Sequence, residues 1–307
     1  MRLMQILRSE NPIWDLDVLD AFLQQVFAGI ATGVLYGGIG LAFVMVYQST
    51  HHINFAQGEM ATFTTFLAWG LIEAGASYWL AFFAAAVVGF AQGVLVDIML
   101  MRRLSSAPPI STVIVTIGLL MLFNSASGYF FDYSSRAFPS PFDAILPGTV
   151  VMSPHEIGTC LVVLAVVVLL YAMFRFTWFG LAMRGAVSNA SSATLVGISV
   201  DWVRSAGWGL SGAIGSIVGM MVAPIVFLEP NMMIGVVVYG FAAALLGGLD
   251  NPWGAVAGGV VVGVLENLLG AYLIGNDLKL TVALAVVLLV LYLRPQGFLG
   301  RRLVRRQ

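Results

Sequence analysis

Charge is what this sequence has least of. Only 9% of its 307 residues are Asp, Glu, Lys or Arg, against 60% hydrophobic, whereas ordinary soluble domains run near a quarter charged. So few charges cannot cover a water-facing surface, which leaves a polytopic all-α membrane protein. The ten-residue alternating segments of a membrane β-barrel are missing. Cysteine is nearly absent: a lone Cys160 inside an apolar run excludes a disulfide framework and reads as a small core residue. His51 and His52 are adjacent and His155 is remote, a spacing that offers no usual metal site. The one lysine, Lys279, follows Leu278, so there is no Gly-x-x-x-x-Gly-Lys-Ser/Thr phosphate loop. With no Gly-x-Ser-x-Gly elbow either, the chain reads as a non-enzyme without catalytic residues or a cofactor of its own. The net charge of −1 says little about partners; no nucleic-acid partner is expected.

What is there in abundance is long uncharged sequence. Residues 21–58, 74–96, 104–131, 205–228 and 230–249 contain no Asp, Glu, Lys or Arg, and a helix needs about 20 apolar residues to cross the hydrocarbon. These runs predict about nine hydrophobic segments, at 22–47, 56–73, 78–101, 110–131, 156–175, 206–228, 232–249, 253–274 and 279–294. Arginines collect at 102–103, at 175, 184 and 204, and at 294–306. Basic residues favour cytoplasmic loops, which makes 176–205 a cytoplasmic loop, 301–307 a basic cytoplasmic tail and 132–155 an external loop. Residues 1–20, with Glu10, Asp15, Asp17 and Asp20, then form an external extension and no signal peptide; residues 21–300 form one transmembrane domain. If the short run 56–73 is re-entrant, the count becomes eight crossings and the amino terminus moves inside.

Small residues four apart, at Gly29, Gly33 and Gly37, at Gly207, Ser211, Gly215 and Gly219, and at Gly254 and Gly258, predict closely packed helices. Inside loop 176–205, Ser188 or Asn189 is placed to cap a short helix that Gly197 would end. Two acids, Glu59 and Glu266 (beside Asn267), fall inside predicted spans, where each costs about 2.5–3.5 kcal/mol and faces either a path or a buried hydrogen bond. Asp97, near Arg102, is expected to reach the interface. HHINFAQGEM at 51–60 is a polar break between apolar runs, and GGLDNPWG at 247–254 is another. Paired breaks point at a transporter's substrate path, with two ordinary turns as the plainer alternative. A proton-coupled carrier wants more intramembrane acids than this, and a channel wants a filter or charge ring.

INFAQGEM at 53–60, GLAMRGAVSNASSATLVGIS at 180–199, AALLGGLDNPWGAVAGGVVVGVLEN at 243–267 and RPQGFLG at 294–300 together resemble the permeases of branched-chain amino acid ABC importers, the Liv family. The resemblance spans roughly 20–300. It implies an inner-membrane pore subunit that pairs with a second permease, with two cytoplasmic ATPase subunits that bind ATP and Mg, and with an external solute-binding protein. The two polar breaks place Asn54, Phe55, Gln57, Gly58, Glu59, Glu266 and Asn267 near the solute path. The ATPase-coupling residues would be Arg184, Ala190, Ala193, Leu195, Gly197 and Ile198. Gln57 stands where the family more often has His, and Asp250-Asn251-Pro252-Trp253 replaces a glycine- and serine-containing turn. These departures leave the solute open among branched-chain amino acids, urea, short amides and aromatic acids.

Overall fold

A computed structural model describes residues 12–104, 107–143 and 152–275, with isolated positions between 278 and 297. The described residues form helices joined by short connections: α1 (Pro12–Thr50), α2 (Gln57–Glu73), α3 (Tyr78–Met99), α4 (Pro109–Phe131), α5 (Pro154–Phe176), α6 (Trp178–Ser188), α7 (Ala190–Leu195), α8 (Val200–Val226), α9 (Met233–Gly247) and α10 (Pro252–Leu269). The starts follow from local chemistry. Ser77 accepts from the Leu80 N–H before α3, and Ser153 and Glu156 make a reciprocal capping box at α5. Ser199 caps α8. Such caps satisfy first-turn amides that the helix leaves without partners.

α1 and α8 form the buried centre, while α3, α4, α5 and α10 turn much of their apolar surface outward, as lipid-facing helices do. Glycines set the closest seams. A Cβ on Gly259 would lie 2.3 Å from the Gly37 nitrogen, and one on Gly263 would lie 2.4 Å from the Gly29 carbonyl oxygen. α1 and α10 therefore approach backbone to backbone along the spaced glycines of α1. Gly212 on α8 meets Gly89 of α3 in the same way.

The bundle is all-helical and polytopic, but the expected count of about nine segments is not what the structure supports. Six helices among the described residues are long and apolar enough to cross: Leu19–Thr50, Tyr78–Leu104, Pro109–Phe131, Pro154–Phe176, Val200–Val226 and Pro252–Leu273. α2 and α9 have 17 and 15 residues. They rise only about 25 and 22 Å, short of a hydrocarbon layer of about 30 Å, because polar and proline-containing breaks cut the hydrogen-bond ladder before each. The predicted span 279–294 lies outside the described residues apart from isolated positions, as does the basic tail.

Two groups of contacts define the bundle's ends. At one, Arg102 donates to Ser205 Oγ at 2.8 Å, so Arg102–Arg103 and the end of loop 176–205 share a side. At the other, Arg136 and Leu228 exchange backbone hydrogen bonds of 3.0 and 2.8 Å, and Arg136 lies 4.3 Å over the ring of Trp69. Trp69 belongs to the last part of α2, so α2 leaves at the end opposite the arginines. Segment 56–73 is thus no hairpin returning to the side it entered.

Candidate functional site

Two elements of the bundle are the same device in opposite directions. α1 ends at Thr50, His51 takes φ +55°, and the chain turns back into the bundle before α2 begins at Gln57. α8 ends at Val226, Phe227 takes φ +65°, and the chain turns back before α9 begins at Met233. Left-handed backbone at a non-glycine residue is strained, by roughly 1–3 kcal/mol, and is held by its surroundings. The two short helices meet near their N-termini: a Cβ on Gly58 would sit 2.4 Å from Val237 and 3.1 Å from Met233. Neither short helix has a side-chain cap, unlike α3, α5, α6, α7, α8 and α10.

The partner of the break at 51–60 is therefore 227–232 and not 247–254. The latter is the ordinary turn between α9 and α10. Gly248 supplies φ +97° there, Asn251 accepts from the Trp253 N–H at 3.1 Å, and Gln48 donates to the Asp250 carbonyl at 2.8 Å. The signal for the true partner was legible as Glu229-Pro230-Asn231, a polar triplet with a helix-breaking proline between two uncharged runs.

At the start of α2 the side chains form a closed network. Asn54 Oδ1 accepts from the Ala56 N–H at 3.1 Å, and its Nδ2 donates to Gln57 Oε1 at 3.2 Å. Gln57 Nε2 donates to the Ser211 carbonyl at 3.0 Å and Ser211 Oγ donates back to Gln57 Oε1 at 2.8 Å. Asn54 and Gln57 are buried, and together they pin the half-helix to α8. Phe55 lies tilted against Phe241 of α9.

Glu59, two residues further on, belongs to a second cluster. It is only 3% exposed, about 20 Å from the C-terminal end of α2 by helix rise. Asn124 of α4 donates to it at 3.2 Å, and also to the Pro230 carbonyl at 3.2 Å and Asn231 Oδ1 at 2.9 Å. Tyr133 donates to Asn124 Oδ1 at 3.3 Å. Asn231 and Tyr133 are exposed. Sequence reasoning missed Asn124, Asn231 and Tyr133; a single asparagine inside the run 104–131 was the available sign.

Glu266 and Asn267 stand elsewhere. Asn267 donates to Thr32 Oγ1 at 3.3 Å across the α1–α10 seam, and Glu266 faces Tyr36 and Tyr239. Asp97 does not reach out to water. It is fully buried, 3.0 Å from Arg204 and 3.8 Å from Arg102, and accepts from Ser205 Oγ at 2.6 Å. These contacts tie the start of α8 to the end of α3.

Loop 176–205 folds as α6 and α7. Asn189 caps α7 by accepting from Ser192 N–H at 2.9 Å, and Gly197 ends it at φ +86°. Ala193 is buried against Ala182, Met183, Ala186 and Val203, with Ile198 packed beside them. Arg184, Ala190 and Gly197 are exposed, and Leu195 and Val196 are the most exposed apolar pair of this end, at 88% and 75%.

Two oppositely directed half-helices meeting inside an apolar bundle define a solute permease of the broken-helix kind. The matching family model describes the branched-chain amino acid transport system permease component and covers residues 25–291. The chain belongs to that family and is a multi-pass membrane transport protein. LivH of Salmonella typhimurium, a high-affinity branched-chain amino acid transport system permease, is 27% identical over 91% of this chain and 96% of its own. LivH of Escherichia coli is 28% identical and BraD of Pseudomonas aeruginosa 27%, over the same shares. PsaBC from Streptococcus pneumoniae aligns over 87% of this chain and 89% of its own at TM-score 0.46 and 14% identity, too distant to bear on the fold.

Proposed function

We propose that this chain is the membrane-spanning permease subunit of an ATP-driven importer in a bacterial or archaeal cytoplasmic membrane, with branched-chain or related amino acids as its solute. The observation that carries the reading is the pair of half-helices meeting at Gly58 and Val237, since irregular backbone at membrane depth is tolerated where it lines a cavity or is covered by protein. Family membership supports an assembly with a second permease, two cytoplasmic ATPases that bind ATP and Mg, and an external binding protein. Residues 51–60 and 227–232 line the path. α7, with Leu195 and Val196 outward, is the docking element that a groove on the ATPase receives.

The test is reconstitution. Expressed with its partner subunits, the chain should co-purify with the ATPases and support ATP-dependent leucine uptake into proteoliposomes once binding protein is added. Ion-gradient-driven uptake by the chain alone would make it a carrier and end this reading. Leu195→Arg points a charge outward from an already exposed site, so the permease should still fold and insert while losing the ATPases. Ala193→Arg is the wrong probe, because it forces a charge into the chain's own core. Normal ATPase retention in Leu195→Arg would remove α7 from the interface.

A further inference from the structure

The Glu59 cluster is short of hydrogens. Asn124 Nδ2 carries two, yet three acceptors lie around it: Glu59 Oε2, the Pro230 carbonyl and Asn231 Oδ1. An amide N–H₂ cannot satisfy all three at full strength. Asn124 turns its own oxygen away to accept from Tyr133, and among the described residues no other side chain donates to Glu59. The charge is also unbalanced. The three ion pairs among the described residues all involve Asp97, Arg102, Asp201 and Arg204 at the arginine-rich end, and none reaches Glu59. A carboxylate this deep, without a cation, is expensive. Asn231 and Tyr133 are exposed and Asn124 is half-buried, so the group reaches the bundle surface beside α4 and the 227–232 segment. Polar side chains at this depth face a partner or a wet path and not lipid.

We propose that Glu59, the Pro230 carbonyl and Asn231 Oδ1 form a cradle for the multi-hydrogen nitrogen of the solute, the α-ammonium group where the solute is an amino acid. The proposal rests on the permease reading and deepens it. A primary ammonium brings three N–H donors and one positive charge, the two quantities the cluster lacks, and charge-assisted bonds of this kind are the stronger ones. It enters by displacing the Asn124 amide from Glu59, and Tyr133 holds that amide to one side. An –NH₂ of a short amide or urea has the hydrogens without the charge, so the same cradle would take it more weakly.

The first experiment leaves the importer cycle out. In purified full-length protein, a hydrophobic carbodiimide should modify Glu59, read by mass spectrometry, and methylammonium or leucine should protect it. Tetramethylammonium, equal in charge but without N–H, and N-acetyl-leucine, without the ammonium, should not. Protection by acetamide would identify a neutral amide as the source while keeping the cradle. Equal protection by tetramethylammonium, or by none of the nitrogen probes, overturns it. The second experiment uses the complete importer. Glu59→Gln should cut leucine uptake roughly ten- to hundredfold, the worth of one charge-assisted hydrogen bond, with ATPases still bound, and Glu59→Asp should restore part of it. A wild-type complex that transports while Glu59→Gln transports equally well sinks the cradle and spares the permease reading. Absence of ATP-driven uptake in the wild type sinks the permease reading, and the carbodiimide result then judges the cradle by itself.

Discussion

At the scale of residues, this protein buries acids inside an apolar bundle, and partners decide whether that is tolerable. Asp97 is buried but answered by Arg204 at 3.0 Å and Ser205 at 2.6 Å. Removing one partner of a buried pair costs about 3–5 kcal/mol, because the remaining charge is stranded. Asp97→Ala should therefore lower the melting temperature of the purified protein in detergent by many degrees. Exchanging Asp97 and Arg204 should recover part of the loss. An unchanged melting temperature in Asp97→Ala would mean that α3 and α8 are not held by this pair. Asp97 was legible as an acid near arginine; that it lies inside was not, because Arg204 is a hundred residues away in sequence.

At the scale of elements, glycine spacing decides how closely helices lie and therefore where the breaks fall in depth. Gly259 has no room for a methyl group: its Cβ would meet the Gly37 nitrogen at 2.3 Å and the Gly33 carbonyl oxygen at 2.5 Å. These are backbone atoms that cannot rotate aside. Gly259→Ala should push α1 and α10 apart and destabilise the fold by about 1–3 kcal/mol, as overpacking does. Gly118, with open space where its Cβ would be, is the control, and Gly118→Ala should keep or raise the melting temperature, because alanine is the better helix former. Equal melting temperatures for both variants would refute the close α1–α10 seam. The short helix in the arginine-bearing loop was legible almost to the residue, because a cap at Asn189 and a stop at Gly197 are local chemistry.

At the scale of the whole molecule, Arg102–Arg103 and the end of loop 176–205 share one end, and the Arg136–Leu228 pairing lies at the other. Positive residues favour the inside, which predicts a cytoplasmic first end. In a Cys160→Ser background, Ser135→Cys should react with a membrane-impermeant thiol reagent in intact cells, and Ser191→Cys should react only after the membrane is opened. Both positions are exposed, so reactivity reports sidedness and not burial. Labelling of Ser191→Cys in sealed cells would invert the protein.

Composition and local pattern determined the class, the long helices, their caps and the small-residue seams. Each of these depends on residues within one or two helical turns of each other. The tertiary structure alone decided which break answers which. The segments at 51–56, 227–232 and 247–254 all look like polar or proline-bearing interruptions in one dimension. Only the packing of Gly58 on Val237 and of Gly247 on Gly254 separates two re-entering chains from a plain turn. The surroundings of Glu59 were hidden for the same reason. Asn124 and Asn231 are 65 and 172 positions away from it, and a hydrogen-bond shortage exists only once three acceptors are brought around one amide.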